Sequence, residues 1–363
     1  MPQLRKDPVT ERWIIISPER DNPSSLPLFE KEEYSSKGFC PFCYGNEDKT
    51  PAEILAYRRQ GCGPNQQGWK VRVVPNRFPA LQPEIRIDKK AKGVYDWMSG
   101  TGIHEIIIEH SEHKASYGTF TTEDVEYILW SYKDRYIDLR KDNRRKYILI
   151  FRNSGKAAGA SIEHPHSQLI ATPVVPKRVS EELTGALKYY KFKNRCVFCD
   201  IIRQELQFKS RIIAENDEFL AFCPYASRFP YEMTILPKSH SSNFSTISEK
   251  EIKSCAEVLL QSMQKLLKNL DFPAYNFVIH TAPVDNENLK HYHWHIEVVP
   301  RVIRLSGFEF GSGFYTNPTS PEEAARLLRA DEVSEESRRD KTSEDKTSED
   351  KISEDKRSEN KDA

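Results

Sequence analysis

Apolar and polar positions follow two alternating rhythms along this chain. Glu105–Glu109 reads EIIIE and Tyr147–Phe151 reads YILIF. Runs this short, rich in β-branched and apolar residues, predict strands. Between them, Val125, Ile128, Leu129, Tyr132, Tyr136 and Ile137 recur at helical spacing and predict a helix over Thr122–Leu139. The succession then returns. Met233–Leu236 and Phe277–Ile279 predict strands. Between these, Ser248-x-x-Glu251 has the form of a capping box, which ties the first free amides of a helix to two side chains. That helix carries Ile252, Cys255, Leu259, Met263, Leu266, Leu267 and Leu270 on one face. Asp7–Pro18 and Arg211–Pro224 predict further strands ahead of each set. Each half reads as strand, long helix, strand and histidine cluster. The expected fold class is α+β, a duplicated unit with an antiparallel sheet and packed helices.

The repeat has a register. Cys40-x-x-Cys43 aligns with Cys196-x-x-Cys199. His113 and His164 are 51 residues apart, as are His240 and His291. Carried onward at the same step, Asn153 aligns with His280, His166 with His293, Gln168 with His295 and Pro173 with Pro300. The first copy has about thirty extra residues between its cysteines and first histidine, an insertion that loops tolerate. These include Trp69–Phe78. The expected division is a first domain over 1–176, a second over 177–330 and a tail over 331–363. From Asp340 the tail repeats DKTSE almost without apolar side chains. It cannot bury enough surface to order itself and is expected to be disordered, with a solvated charged helix as the competing form.

Composition narrows the class. The chain has 363 residues, 38% hydrophobic and 30% charged, with formal net charge +0. Neither a basic stripe for nucleic acid nor an apolar run long enough to span a bilayer is present. The first residues lack the apolar core of a signal peptide, so a cytoplasmic location is expected. In that compartment, two Cys-x-x-Cys pairs among seven cysteines point to metal sites over disulfides. Zinc takes four tetrahedral Cys or His ligands. The spacing predicts Cys40, Cys43, His113 and His164 for one ion, and Cys196, Cys199, His240 and His291 for a second. Both would be closed, structural sites. The alternative is buried or redox thiols with histidines in polar core positions. His280, His293 and His295 are left over in the second copy; with a carboxylate they could hold another metal, or they are ordinary hydrogen-bonded histidines.

The segment Glu163-His164-Pro165-His166-Ser167-Gln168 carries the chemistry. His164, His166 and Gln168 alternate and share a face of an extended strand. With His164 anchored by a metal, His166 is held to present its imidazole to a cleft. A neutral imidazole attacks phosphorus to give a phosphoramidate that a second nucleophile resolves. Gln168 can donate an amide N–H to the phosphoryl oxygens as charge builds. Upstream, Asn153–Ser161 is small and glycine-rich and suits close approach of backbone to phosphate, with Ser161 as a side-chain donor. The second copy has Ala282-Pro283-Val284-Asp285 there, so one catalytic and one structural copy is expected.

Gly159–Gln168 (GASIEHPHSQ), Cys40-x-x-Cys43, Asp7–Trp13, Val74–Ala80, Gly307-Phe308-Glu309 and Asn317-Pro318 together resemble the galactose-1-phosphate uridylyltransferase family of the histidine-triad superfamily. The second Cys-x-x-Cys resembles the ADP-glucose phosphorylase branch. The resemblance implies duplicated histidine-triad-like domains and a ping-pong cycle in galactose metabolism. UDP-glucose gives its uridylyl group to His166, and a hexose 1-phosphate then takes it. It further implies Gln168 as phosphoryl partner, Ser161, Gly159 and Asn153 as phosphate contacts, Asn76, Arg77 and Phe78 as part of the nucleoside pocket, and Arg20 as a phosphate-side arginine. It implies structural zinc, a further metal, iron or zinc, on Glu182, His280, His293 and His295, and a homodimer. Ile162-Glu163 stands where uridylyltransferases usually have Asn-Pro. The rival readings are an ADP-glucose phosphorylase, a histidine-triad nucleotide hydrolase and a non-catalytic zinc module that binds nucleotides.

Overall fold

A computed structural model describes residues 1–18, 38–286 and 288–330. Arg20 and the tail over 331–363 lie outside the described residues. The chain opens with the hairpin β1 (Gln3–Lys6) and β2 (Trp13–Ile16). The first copy supplies β3 (Leu55–Arg58), β4 (Trp69–Pro75), an outlying hairpin of β5 (Lys89–Lys92) and β6 (Tyr95–Met98), β7 (Ile103–Ile108), α1 (Thr122–Leu139), β8 (Tyr147–Ser154) and β9 (His166–Thr172). Two helices follow, α2 (Lys177–Lys193) and α3 (Val197–Phe208). The second copy supplies β10 (Ile212–Glu215), β11 (Phe219–Phe222), β12 (Met233–Pro237), α4 (Glu249–Asn269), β13 (Tyr275–His280) and β14 (His295–Pro300). Helix α5 (Gly307–Ser312), β15 (Tyr315–Asn317) and α6 (Pro321–Arg329) end the described chain.

Ten strands form one antiparallel sheet in the order β10-β11-β12-β14-β13-β8-β9-β7-β4-β3. The two halves mirror each other about the β8–β13 junction. There Phe151 faces Val278, flanked by Ile150 against Ile279 and Arg152 against Phe277. A local two-fold axis therefore passes between Phe151 and Val278. The fold is the duplicated α+β sheet that the hydrophobic pattern predicts. Helices α1 and α4 start at matching capping boxes, Thr121 with Asp124 and Ser248 with Glu251. Both helices lie on one face of the sheet. Their apolar stripes share a core with Ile107, Ile148, Ile150 and Leu169 of one copy and Ile235, Phe277, Ile279 and Ile296 of the other.

The opposite face is dressed unequally. Over the second copy, α2 and α3 bring Ala186, Val197 and Phe198 onto Leu220, Phe222 and Leu236. Over the first copy lies a smaller cluster of Cys40, Phe42, Trp69, Val74, Ile106 and Ile108.

The opening hairpin departs from expectation. Instead of leading the first copy's sheet, β2 pairs in parallel with β15, and Arg5 reaches the Glu322 carboxylate at 2.9 Å. Val9 packs in the cluster under α2 and α3. A β-carbon on Gly185 of α2 would lie 1.8 Å from the Val9 carbonyl oxygen, so only glycine admits this turn against the helix. The first residues thus sit beside the second copy. Their strand partner is some three hundred positions downstream, which no local pattern discloses.

Candidate functional site

Two Cys/His groups assemble, one per copy. In the first, Cys40, Cys43, His113 and His164 bring their ligand atoms within 4.8 Å of one another. The cysteines ride a tight turn in which Cys43 N–H donates to the Cys40 carbonyl and Asn46 Nδ2 donates to the same oxygen at 2.8 Å. His113 Nδ1 lies 3.2 Å and His164 Nδ1 3.7 Å from Cys43 Sγ. The far nitrogens are committed: His164 Nε2 donates to the His110 carbonyl at 2.7 Å, and His113 Nε2 lies 3.4 Å from Glu163. Each ring therefore turns a bare Nδ1 toward the thiols, the orientation that second-shell acceptors impose on metal-ligating histidines. Burial pushes His164 down to about 4, so its ring stays neutral. Burial and the neighbouring Cys40 push the Cys43 thiol up to about 11. Two convergent thiols and two bare imidazole nitrogens form a donor set that fits zinc.

In the second copy the group is Cys196, Cys199, His240 and His293. This corrects the spacing argument, which names His291. His293 Nδ1 lies 3.8 Å and His240 Nδ1 3.4 Å from Cys199 Sγ, while their Nε2 atoms face the Pro237 and Leu289 carbonyls at 2.9 and 3.1 Å. His291 contributes only its backbone carbonyl, 3.6 Å from Cys196 Sγ. The register explains the shift. Ile148 and Tyr275 hold equivalent places about the junction, and their strand partners are Ala171 and Pro300. Counting back from these makes His293 the counterpart of His164, His295 that of His166 and Glu297 that of Gln168. The connection before the second histidine cluster is two residues longer, and a count that assumes equal loops misplaces every residue beyond it. Cys196 caps the start of α3 with Cys199 in its first turn. The hydrogen bond between them draws the Cys196 thiol down and the Cys199 thiol up.

A third group gathers Glu182, His280 and His295, without the His293 that the resemblance adds. Both ring nitrogens of His293 are engaged elsewhere. The His280 and His295 rings stack at 4.7 Å, and Glu182 accepts from Tyr292 at 3.0 Å and from His280 at 3.2 Å. Burial alone would raise Glu182, but His280 beside it brings it down to about 2; the same pairing lifts buried His280 to about 9. His280 Nε2 makes no close hydrogen bond and lies 3.5 Å from the Glu297 carboxylate. One carboxylate and two imidazoles suit a divalent metal with open positions. A cavity of about 330 Å³ adjoins this group, lined among others by Arg178, Glu182, Phe198, His295 and Glu297.

His166 opens β9. Its Nδ1 lies 2.8 Å from the His164 carbonyl, which can only accept, so Nδ1 carries the proton and Nε2 keeps its lone pair. The ring is 5% exposed, with the Phe42 ring edge-on at 5.4 Å. Burial lowers its basicity, which keeps it neutral and nucleophilic near pH 7. On β8, Asn153 Oδ1 accepts from Asn276 Nδ2 at 2.8 Å, and Asn153 Nδ2 points to Gly159, 3.8 Å from where a β-carbon would sit. Gly155 and Gly159 both have left-handed backbone, φ 86° and 88°. Ser161 is exposed at the rim of that loop, Arg77 and Phe78 are also exposed, and Asn76 reaches His104.

Two features were missed in sequence. The flanking glutamates of EIIIE face the helices. Glu105 pairs with Arg135 at 2.7 Å, and fully buried Glu109 pairs with Arg152 and accepts from Ser167, with Tyr132 OH 3.3 Å away. Ser167 lies between His166 and Gln168, so this charged cluster anchors the strand from beneath. The other is His104, whose Nε2 lies 2.8 Å from Gln168 Oε1. A histidine beside Glu105 at the start of an apolar strand was the available signal for it.

Comparison with known proteins places this geometry. Residues 1–176 match the family described as galactose-1-phosphate uridyl transferase, N-terminal domain, and residues 90–358 match a domain of unknown function, DUF4921. The ADP-glucose phosphorylase of Arabidopsis thaliana is 36% identical over 90% of this chain and 92% of its own length. The galactose-1-phosphate uridylyltransferase of Thermotoga maritima is 32% identical over 92% of this chain and 99% of its own. The crystal structure of an Arabidopsis ADP-glucose phosphorylase with bound ADP-glucose superposes with a TM-score of 0.77 at 33% identity, covering 92% of this chain and 100% of that one. With these matches spanning both copies and the histidine strand, the chain belongs to the galactose-1-phosphate uridylyltransferase family and is a nucleotidyltransferase.

Proposed function

We propose that the chain moves a nucleoside monophosphate from a nucleoside diphosphate sugar to a phosphate acceptor through a covalent bond to His166. The observation that carries this is the fixed tautomer of His166, with Nδ1–H spent on the His164 carbonyl and a lone pair left on Nε2. Nε2 attacks the α-phosphorus, the bond to the bridging oxygen breaks, and the sugar 1-phosphate departs with the electron pair. The imidazolium charge on the adduct rests against the His164 carbonyl. An acceptor phosphate oxygen then attacks the same phosphorus, and Nε2 leaves with the electron pair. Gln168, Asn153, Gly159 and Ser161 serve the phosphoryl oxygens, and Asn76, Arg77 and Phe78 the nucleoside side.

The first reading of the pair of substrates is UDP-glucose with a hexose 1-phosphate, supported by the Thermotoga relative, whose name is galactose-1-phosphate uridylyltransferase. The second is ADP-glucose with inorganic phosphate, favoured by the 36% identity to the Arabidopsis phosphorylase. Mass spectrometry after mixing with each nucleotide sugar tests the shared step: an adduct of one nucleoside monophosphate on His166 is expected. No adduct with any of them would sink the mechanism. Crossing both donors with both acceptors then separates the two readings.

Zinc on the two Cys/His groups is the reading that their donor sets support, with iron or zinc on the Glu182 group. A cytoplasmic setting is supported by the seven unpaired cysteines. No described helix is long and apolar enough to cross a membrane. A homodimer is supported by the outlying hairpin, where Val94, Tyr95 and Trp97 are 89%, 76% and 54% exposed.

A further inference from the structure

We infer that His104 is the positioning residue that sets which end of the Gln168 amide faces the reacting phosphate. The inference rests on the nucleotidyl-transfer reading for its catalytic consequence, but its geometry stands by itself. The backbone N–H of Ala80 donates to His104 Nδ1 at 3.2 Å. A backbone amide can only donate, so Nδ1 of the neutral ring is the acceptor and the proton sits on Nε2. Nε2–H then meets Gln168 2.8 Å away. That contact is a hydrogen bond only if the amide turns Oε1 toward His104; the flipped amide would oppose two donors. Gln168 is thereby locked with its NH₂ directed away from His104. On the strand the side chain shares a face with His166, so the NH₂ is available on the nucleophile's side of the sheet.

The ring is held by its surroundings. Asn76 N–H donates to the His104 carbonyl at 2.9 Å, and Asn76 Oδ1 accepts from Phe78 N–H at 2.9 Å. That leaves Asn76 Nδ2 lying at 3.1 and 3.4 Å from the two ring nitrogens, similar distances that suit an N–H resting on the ring face. The segment Asn76–Ala80 therefore reports on the Gln168 amide through one imidazole. A nucleoside seated against that segment and a phosphate met by Gln168 share a single rigid intermediary.

The consequence is specific. A free glutamine amide presents either end, and its carbonyl end repels phosphoryl oxygens where charge develops. His104→Ala is expected to lower kcat for nucleotidyl transfer by about ten- to a hundredfold, a part of what loss of one such donor entails, with KM nearly unchanged. Gln168→Ala lowers kcat at least as far. The double variant His104→Ala/Gln168→Ala is expected to match Gln168→Ala alone, because His104 acts only through that amide. His104→Gln, which can offer an N–H from a similar reach, recovers part of the loss. A multiplicative loss in the double variant, or wild-type kcat in His104→Ala, overturns the inference. The tautomer is read without turnover by ¹⁵N NMR of the imidazole: proton on Nε2, with the Nε2–H resonance shifted in Gln168→Ala. A proton on Nδ1, or a resonance indifferent to Gln168, overturns it equally. If the wild type forms no adduct yet shows this tautomer, the transfer reading fails and the positioning geometry remains.

Discussion

The two copies use one plan in opposite ways. At His166 the first copy has a glycine loop, an amide at Gln168 and a lightly covered strand face. At His295 the second copy has Glu297 in place of Gln168 and a Glu182 oxygen 4.0 Å from Nε2. A phosphate brought there would meet two carboxylates. Exposed Arg178 and buried Arg228 already pair with Glu297, at 2.8 and 2.5 Å. Beneath the strands the contrast reverses. Arg152, Ser167 and Tyr132 of the first copy correspond by register and by helix cap to Ile279, Ile296 and Leu259 of the second. The copy that carries His166 stands on a buried ion pair, the other on hydrocarbon. A polar, hydrogen-bonded support fixes a strand in one geometry, whereas an apolar one supports it without choosing among near-equivalent shifts.

This comparison is open to attack at four levels. The largest effect is expected at the histidines. His166→Ala should lower kcat by on the order of 10⁴-fold or more, while His295→Gln leaves initial rates at the wild-type level. Equal losses in the two variants would end the division into reactive and silent copies. Next come the metal groups. Cys199→Ser is expected to remove one zinc per chain by elemental analysis and to lower the melting temperature by on the order of 10 °C, with transfer retained below that temperature. Cys43→Ser should remove the other zinc and transfer together, since His164 holds the carbonyl that orients His166. Third, Arg152→Met strands the buried Glu109 charge and should destabilise by about 3–5 kcal/mol in denaturant unfolding. Its counterpart Ile279→Met should stay below about 1.5 kcal/mol. Similar values would show the ion pair to be a bystander. The smallest effects test where the copies agree: Thr121→Ala and Ser248→Ala should each cost about 1 kcal/mol, equally, because both cap boxes close in the same way.

The elements that echo a local rhythm were legible in the chain. The α1 bounds follow from its apolar period, and the start of α4 from its capping box. The Cys40 group was legible because Cys-x-x-Cys is a local motif with His113 and His164 following it, although all four ligands lie in turns and loops outside the strands and helices. The assignment of His291 failed for a different reason. A two-residue difference in a loop leaves no mark on composition, yet it moves a strand's whole side-chain set. His104 and the Arg152 cluster were hidden because their partners are far away in sequence: Gln168 lies on the strand beside His104, and Glu109 just past the end of β7, across β9 from Arg152. Hydrogen bonds of that kind belong to the register of the sheet, which emerges only once the strands are paired.

The β8–β13 junction has a consequence for how the protein is made. Strand β8 has its covering partner more than a hundred residues downstream. At roughly 5–20 residues per second, a ribosome leaves that edge bare for on the order of ten seconds after the first copy has emerged. The bare edge is an apolar strand with its ladder unfilled, the kind of surface that recruits foreign strands. The same seam that later welds both halves into one sheet is therefore an adhesive surface of the nascent chain, and the second copy is its eventual cover.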